Sequence, residues 1–374
     1  MGFKVRKFDK NISMKVLHVS YGGLGNGGVA SVILSIVLSL HSKFDFGCIV
    51  FNNKGEREDE FIKYGRLYRV NCYLKKSKVA KILDILLRPY RMTYAAYSIC
   101  KKEKYDVIHC HNGYEEIFFL LGAKVAGVHT RIAHSHNSQS PKNPSVVRRF
   151  FNSVCRIGIN KLSTERIGCS QKACDDFFRI KDTKVIYNSI NLSAFYWKRN
   201  KHENLQIVHV GRYDYPKNQT FVIDVFDCIR KQIPNAKLKL VGFGPDEIEL
   251  KNKIKQLGLV GFVSLVDGRA ANIHEAYADS DLMIFPSFYE GFGIVLIEAQ
   301  STGCYVFASD VVPNCTDVGM MTTLSLTLSA NEWANRIISF ISEKHHFNES
   351  SIVRIKQFDN SYISEKYKQL YEGK

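Results

Sequence analysis

The chain lacks several features that would fix its class at once. Its ten cysteines include no CxxC pair, and five of them lie inside apolar runs (Cys48, Cys100, Cys169, Cys228, Cys304). Reduced, buried thiols are expected, not a disulfide framework. Eight prolines and 25 glycines among 374 residues are too few for a collagen-like or disordered chain. The longest apolar runs, Val29 to Leu40 and Ile117 to Val128, fall short of the ~20 residues that span a bilayer, and the second carries Lys124. No transmembrane helix is expected. The opening MGFKVRKFDKNIS is basic but has no apolar core, so no secretory signal is expected and the predicted location is the cytoplasm. Residues 1–13 read as a dispensable lead-in to Met14.

With 45% hydrophobic and 24% charged residues, the composition is that of a globular protein, and the length suits two domains. Acidic residues are scarce in the first half: residues 1–200 hold 34 Lys/Arg against 15 Asp/Glu, residues 201–374 hold 18 against 21, and the net charge is +16. Such a field implies an anionic partner for the N-terminal half. No zinc-finger spacing or RNP-type aromatic stretch supports nucleic acid, which leaves the anionic inner leaflet of a membrane. Two segments bear on this. In Lys75 to Lys104, Val79, Ile82, Leu83, Leu86 and Tyr90 share a helical face opposite Lys81, Arg88 and Arg91, and Pro89 is expected to break or kink the helix. Pro144 to Lys161 sets Arg148, Arg149, Arg156 and Lys161 beside Phe150, Phe151 and Val154. Each segment fits an interfacial helix or a core-facing helix with a solvated basic face.

From Met14 the chain reads as strand (KVLHVSY), Gly-rich turn, helix (VASVILSIVLSL) and strand (FGCIVFN), a βαβ unit continued by YDVIHCH and TRIAHSH. After a polar connection the rhythm restarts with LQIVHVG, the loop RYDYPKN, a helix and LKLVGFG, followed by LMIFPS, the loop FYEGFG, a helix and CYVFASD. The expected architecture is α/β, with two doubly wound parallel sheets. The domains are placed at 14–195 and 204–350, and a C-terminal helix within 355–374 packs back on the first.

Gly23, Gly25 and Gly28 spell GxGxxG between strand and helix. A nicotinamide site wants an acid at the end of the next strand, where Asn52 and Asn53 stand, so a dehydrogenase is set aside. The glycines Gly22, Gly23, Gly25, Gly27 and Gly28 still let a phosphate, sugar or head group approach backbone N–H groups at a helix start. His109 with His111, and His134 with His136, sit two apart on strands and share a side; they are metal-ligand candidates without a nearby carboxylate cluster. Glu290 and Glu298 bracket GFGIVLI, with a helix start expected near Gly291 to Gly293 and both carboxylates facing one cleft. Arg212 and Lys217 add two cations at a strand's carboxyl end, where leaving-group charge would develop.

Together FPSFYEGFGIVLIEAQSTGCYVFASD, VGRYDYPKNQ, RIAHSHN, VIYNSINLSAF and the Gly-rich loop resemble, in order and over nearly the whole chain, the retaining glycosyltransferases of family 4 with the GT-B fold, of the bacterial exopolysaccharide, capsule and O-antigen type. The resemblance implies two Rossmann-like domains facing a cleft, the first binding the acceptor and the second a nucleotide-sugar. It implies that Arg212 and Lys217 hold the donor diphosphate, and that the backbone at Gly291, Phe292, Gly293 and Ile294 holds its distal phosphate. Glu290 would contact the transferred sugar, Glu298 the nucleotide ribose, and His136 the reacting sugar from across the cleft. Gly27 and Gly28 would lie beside acceptor and diphosphate, and Gly268 and Arg269 would seat the base. Departures are Pro216 before Lys217 and the sequence VPNCT at Val312 to Thr316.

The implied reaction is front-face departure of the nucleoside diphosphate, UDP by family precedent, with transfer to a lipid-linked or saccharide acceptor at the inner leaflet. No tightly bound cofactor and no metal are expected, because the two cations do a metal's work. Alternatives are a sugar-nucleotide 2-epimerase of the same fold and a metal-dependent hydrolase built on the paired histidines.

Overall fold

The computed structural model describes residues 14–51, 54–70, 78–111, 113–136, 145–195, 202–343 and 349–374. The chain divides into two units, residues 1–188 with 360–374, and residues 189–359. This division assigns 189–195 and 355–359 to the second unit.

In the first unit the near-continuous apolar runs become strands buried on both faces, as a parallel sheet covered by helices requires. In chain order they are β1 (Lys15–Ser20), α1 (Gly28–Leu40), β2 (Asp45–Phe51), the short α2 (Glu58–Phe61), β3 (Gly65–Val70), α3 (Lys78–Glu103), β4 (Val107–Cys110), α4 (Glu116–Val125), β5 (Thr130–Ser135), α5 (Val146–Leu162), β6 (Glu165–Gly168), α6 (Gln171–Phe178) and β7 (Lys184–Val185). The sheet order is β3-β2-β1-β4-β5-β6-β7, and every pairing is parallel. Leu17, Val19, Ile108, Phe119, Leu120 and Ala133 belong to its buried core.

Pro89 neither ends nor divides α3, which runs through it over 26 residues. Proline removes one helical hydrogen bond; beyond it α3 packs along α4, where Gly122 lies close against Thr93 and Ala96. The side chains of Val79, Lys81, Ile82 and Leu83 lie outside the described residues, as do Asn52, Asn53 and residues 1–13.

The second unit runs β8 (Gln206–Val210), α7 (Gln219–Gln232), β9 (Lys237–Gly242), α8 (Glu247–Gln256), β10 (Val263–Asp267), α9 (Ile273–Ala278), β11 (Leu282–Phe285), α10 (Ile294–Ser301), β12 (Tyr305–Ser309), β13 (Met321–Leu324), α11 (Ala330–Ser342) and α12 (Glu349–Lys356). Its parallel sheet is ordered β10-β9-β8-β11-β12-β13. The chain then rejoins the first unit as α13 (Asn360–Glu372), which lies along α1. Ser35 Oγ donates to Asn360 Oδ1 at 2.7 Å, and Ile363, Tyr367, Leu370 and Tyr371 are buried.

Candidate active site

Both sheets reverse their winding direction once. In the second unit this happens between β8 and β11, whose connections leave toward opposite edges. Loops leaving the carboxyl ends of two such strands diverge and open a crevice, the general ligand site of doubly wound sheets. The loop after β8 carries Arg212 and Lys217; the loop after β11 carries Glu290 and Gly291 to Gly293.

These loops are joined by several contacts. The backbone N–H of Phe288 donates to Pro216 O at 2.9 Å, and Asn218 Nδ2 donates to Pro286 O at 3.2 Å. The rings of Tyr215 and Phe288 stack at 4.9 Å. Lys217 Nζ donates to Glu290 Oε2, and it lies 4.9 Å from the centre of the Phe285 ring. Pro216, a departure from the resembled pattern, thus supplies the carbonyl that ties one loop to the other. Arg212 differs from Lys217: its side chain is 66% exposed and pairs with Asp214 at 3.3 Å. Burial raises the Asp214 carboxyl pKa, against the pull of Arg212 and Lys217.

Helix α10 starts at Ile294 with Gly293 as its N-cap at φ +83°, and no side chain caps it. Its first N–H groups are therefore available to an anion. A β-carbon on Gly293 would meet Leu296 Cδ1 at 2.9 Å and Glu290 Cγ at 3.2 Å, so glycine is needed for space as well as for φ. Phe292 is buried and packs beside Phe358.

Glu290 and Glu298 have separate partners. Glu298 lies inside α10 and accepts from the Tyr277 hydroxyl of α9 at 3.2 Å. Burial pushes its carboxyl up to about 7, against that hydrogen bond. Gly268 N donates to Gly242 O at 3.1 Å, and an added β-carbon would lie 3.1 Å from Gly242 Cα. Arg269 pairs with Asp267 at 2.6 Å and sits 4.8 Å over the Phe243 ring.

Sequence reasoning missed His209 on β8. Its Nδ1 donates to Ile284 O at 2.9 Å, which leaves Nε2 as a buried lone pair with no partner among the described residues. Burial lowers this imidazole to about 4, so it is neutral. A β-carbon on Gly211 would lie 3.3 Å from Nε2 and 3.4 Å from Lys217 Cγ, which places this acceptor beside the lysine stem. The histidine in LQIVHVG was a visible signal.

In the first unit the reversal lies between β1 and β4. Gly27 is the N-cap of α1 without a side-chain cap, Gly28 is its first residue, and neither has an atom within 4 Å of an added β-carbon. His136 follows β5. The two sequence pairs become a cluster of five imidazoles, because His18 on β1 joins His109 on β4 and His111 just after it, and His134 on β5 and His136 just after it. His18 is in register with His109, and the two-residue period sends all five to one face. His18 Nδ1 and His111 Nε2 are 3.0 Å apart, His111 Nδ1 and His136 Nε2 2.7 Å, and His109 Nε2 and His134 Nδ1 3.1 Å. Tyr371 of α13 reaches His109 Nδ1 at 2.9 Å. Burial pushes His18 and His136 down to about 3, and His109, His111 and His134 well below the ordinary range, with neighbouring imidazoles adding to the shift of these three. Two trios, His18 with His109 and His111, and His111 with His134 and His136, each bring one donor atom per residue within 4.8 Å, and neither trio contains a carboxylate.

Comparison with known proteins decides the class. Residues 26–194 match the model of Glycosyltransferase Family 4, and residues 195–352 match Glycosyl transferases group 1. The chain belongs to glycosyltransferase family 4. This family 4 enzyme is 26% identical to the capsular polysaccharide biosynthesis glycosyltransferase CapH of Staphylococcus aureus, over 96% of this chain and 99% of that one. It is 27% identical to an Escherichia coli UDP-Gal:alpha-D-GlcNAc-diphosphoundecaprenol alpha-1,3-galactosyltransferase, over 61% and 64% of the two chains. Its fold matches Anabaena HepE, solved in complex with UDP and glucose, with a TM-score of 0.76 over 97% of this chain and all of that one, at 20% identity. It is thus a glycosyltransferase of the GT-B fold, and the expectations of fold class, family and enzyme class hold.

Proposed function

We propose that this family 4 enzyme is a retaining transferase that moves a sugar from a UDP-sugar to a lipid-linked saccharide in cell-surface polysaccharide synthesis. The naming of relatives for capsule synthesis and for a diphosphoundecaprenol-linked acceptor supports the pathway and the acceptor class. The observation that carries the donor reading is the meeting of Lys217, Glu290 and the uncapped start of α10 at the reversal between β8 and β11. One positive side chain and a set of aimed N–H groups are what a departing diphosphate needs.

In this reading Lys217 exchanges its carboxylate partner for a phosphate oxygen when donor binds. Glu290, freed from the lysine, accepts from a hydroxyl of the transferred sugar. The N–H groups at Gly291 to Ile294 meet the distal phosphate, and Arg212, paired with Asp214 at the surface, swings onto the diphosphate. Glu298 holds the ribose, Gly268 and Arg269 border the base, and His136 with Gly27 and Gly28 serves the reacting sugar and acceptor. The leaving phosphate takes the proton of the attacking hydroxyl, so neither an enzyme nucleophile nor a metal enters. Lys217→Ala is expected to lower kcat on the order of 10²–10³, and because it leaves the largely buried Glu290 carboxylate unpaired it is assayed well below its own lowered melting temperature. Unchanged turnover in that variant would refute the donor site; activity that chelation abolishes and a divalent ion restores would refute the metal-free route.

An anionic leaflet is the proposed docking partner of the first unit. Val146, Val147 and Phe150 on α5 are 80%, 79% and 72% exposed, and Leu86 and Tyr90 on α3 and Val125 on α4 are exposed too. Helix α4 packs against both α3 and α5. Arg149 is exposed among the apolar residues, and Arg148 pairs with Glu115 at 3.0 Å. Exposed apolar side chains interleaved with cations match a lipid surface better than a water-facing helix.

A further inference from the structure

The proposed function gives Lys217 a task and leaves the buried acceptor beside it unused. We propose that His209 is a positioning residue for Lys217: once the lysine has left Glu290 for the donor, the neutral Nε2 of His209 accepts one of its N–H groups and fixes the ammonium against the departing diphosphate. This rests on the reading that Lys217 meets the diphosphate.

The tautomer of His209 is set by strand pairing. The ladder between β8 and β11 pairs Ile207 with Leu282 and Val208 with Met283. One residue further on, His209 Nδ1 lies 2.9 Å from the Ile284 carbonyl oxygen. A carbonyl only accepts, so Nδ1 carries the proton and Nε2 the lone pair. The ring has no exposed surface, and burial keeps it neutral.

The lone pair borders the lysine. A β-carbon placed on Gly211 would lie 3.3 Å from Nε2 and 3.4 and 3.5 Å from Lys217 Cγ and Cδ, so one small space left by the glycine touches both side chains. They also share the Phe285 ring, which stacks on His209 at 5.8 Å and has Lys217 Nζ 4.9 Å from its centre. Nζ lies two bonds beyond Cδ, so rotation at the end of the stem carries it toward Nε2 without moving the backbone.

The chemistry of the acceptor suits the task. A buried lone pair without a donor is costly, and Nε2 has no partner among the described residues while Lys217 donates to Glu290. An ammonium has three N–H groups, so a lysine turned to a phosphate keeps one for His209. A carboxylate at this position would cancel the positive charge that the leaving group needs, and an imidazolium would repel the lysine. A neutral acceptor gives the ammonium a direction and leaves its charge intact for the diphosphate.

The test uses the full chain labelled with ¹⁵N-histidine, with UDP and uridine as probes. The wild type is expected to show His209 as the Nδ1-protonated neutral tautomer, with an Nε2 signal that moves upfield on addition of UDP, as that of an engaged acceptor does, and stays in place on addition of uridine. In Lys217→Ala saturated with UDP the movement is expected to be absent. His209→Asn keeps an amide N–H for Ile284 and removes the far acceptor. It is expected to weaken UDP binding about tenfold, the worth of one lost hydrogen bond, and to leave uridine binding unchanged, whereas general damage to the fold would weaken both. His209→Gln, whose amide oxygen reaches the place of Nε2, is expected to restore most of the UDP affinity. Should His209→Asn fail to fold, Gly211→Ala fills the space between the two side chains, keeps the histidine, and is expected to abolish the Nε2 movement. UDP binding that depends on Lys217 while the wild-type Nε2 signal stays in place, or His209→Asn that binds UDP as the wild type does, overturns the role of His209 alone. A wild type that does not bind UDP, or Lys217→Ala that binds it as tightly as the wild type, overturns the donor reading and the role of His209 with it.

Discussion

At the scale of single residues, the donor site depends on conformations that few side chains tolerate. Gly293 sits at φ +83° with Leu296 and Glu290 pressed around it. Gly293→Ala is expected to cost about 1–2 kcal/mol for the left-handed backbone, measurable by denaturant unfolding. It should also lower kcat, because the methyl group displaces Glu290. Glu298 gives a prediction with a sign. Its carboxyl is raised from the ordinary 4.5 to about 7, so between those values the folded state holds a proton that the unfolded state has released. Stability from this group is therefore present below about 4.5 and is lost as pH rises through 7, by at most about 3 kcal/mol. His209 works in the opposite sense, lowered to about 4, so the comparison must be with Glu298→Gln. The difference in melting temperature between wild type and variant should change from pH 5 to about 7 and level off above it; a constant difference across that range would show that Glu298 titrates normally.

At the scale of elements, α5 and α13 do opposite things with similar patterns. Both mix apolar and charged residues at helical spacing. Helix α13 buries Ile363, Tyr367, Leu370 and Tyr371, and Tyr371 bonds His109. Tyr371→Phe removes that partner from a buried imidazole and is expected to destabilise the first unit by about 1–3 kcal/mol, read by hydrogen exchange in β4. Helix α5 turns only Cys155 and Ile159 fully inward and leaves Val147 and Phe150 outside. Val147→Asp with Phe150→Asp should abolish sedimentation with anionic vesicles and spare transfer to a short, water-soluble acceptor. Equal binding of the wild type to neutral and anionic vesicles would refute docking by charge. The periodicity of both helices was legible in the sequence, but whether a face is covered was not, because that depends on what the chain brings to it from far away.

At the scale of the whole molecule, acid should act unevenly. Burial keeps each clustered histidine neutral in the folded first unit and each protonates on unfolding, so its contribution to stability is present above the ordinary value of 6.5 and is lost as pH falls below it, toward about 3 for His18 and His136. Each proton taken up on unfolding steepens the loss by about 1.4 kcal/mol per pH unit. The first unit is expected to lose hydrogen-exchange protection from about pH 6 downward, before the second unit does. Simultaneous loss in both units would contradict this ordering.

The sequence by itself determined the strand and helix alternation, the two glycine-rich helix starts, the basic first half and the loops that bear Lys217 and Glu290, because each is written in neighbouring residues and follows from local periodicity and turn chemistry. Tertiary structure decided the rest. It kept α3 continuous through Pro89, gave Glu290 and Glu298 different partners, left Arg212 at the surface, placed His209 beside Lys217, and drew His18 to His109 across 91 residues of chain. Those outcomes depend on strand order and register, which join residues that are remote in the sequence and which no local pattern encodes.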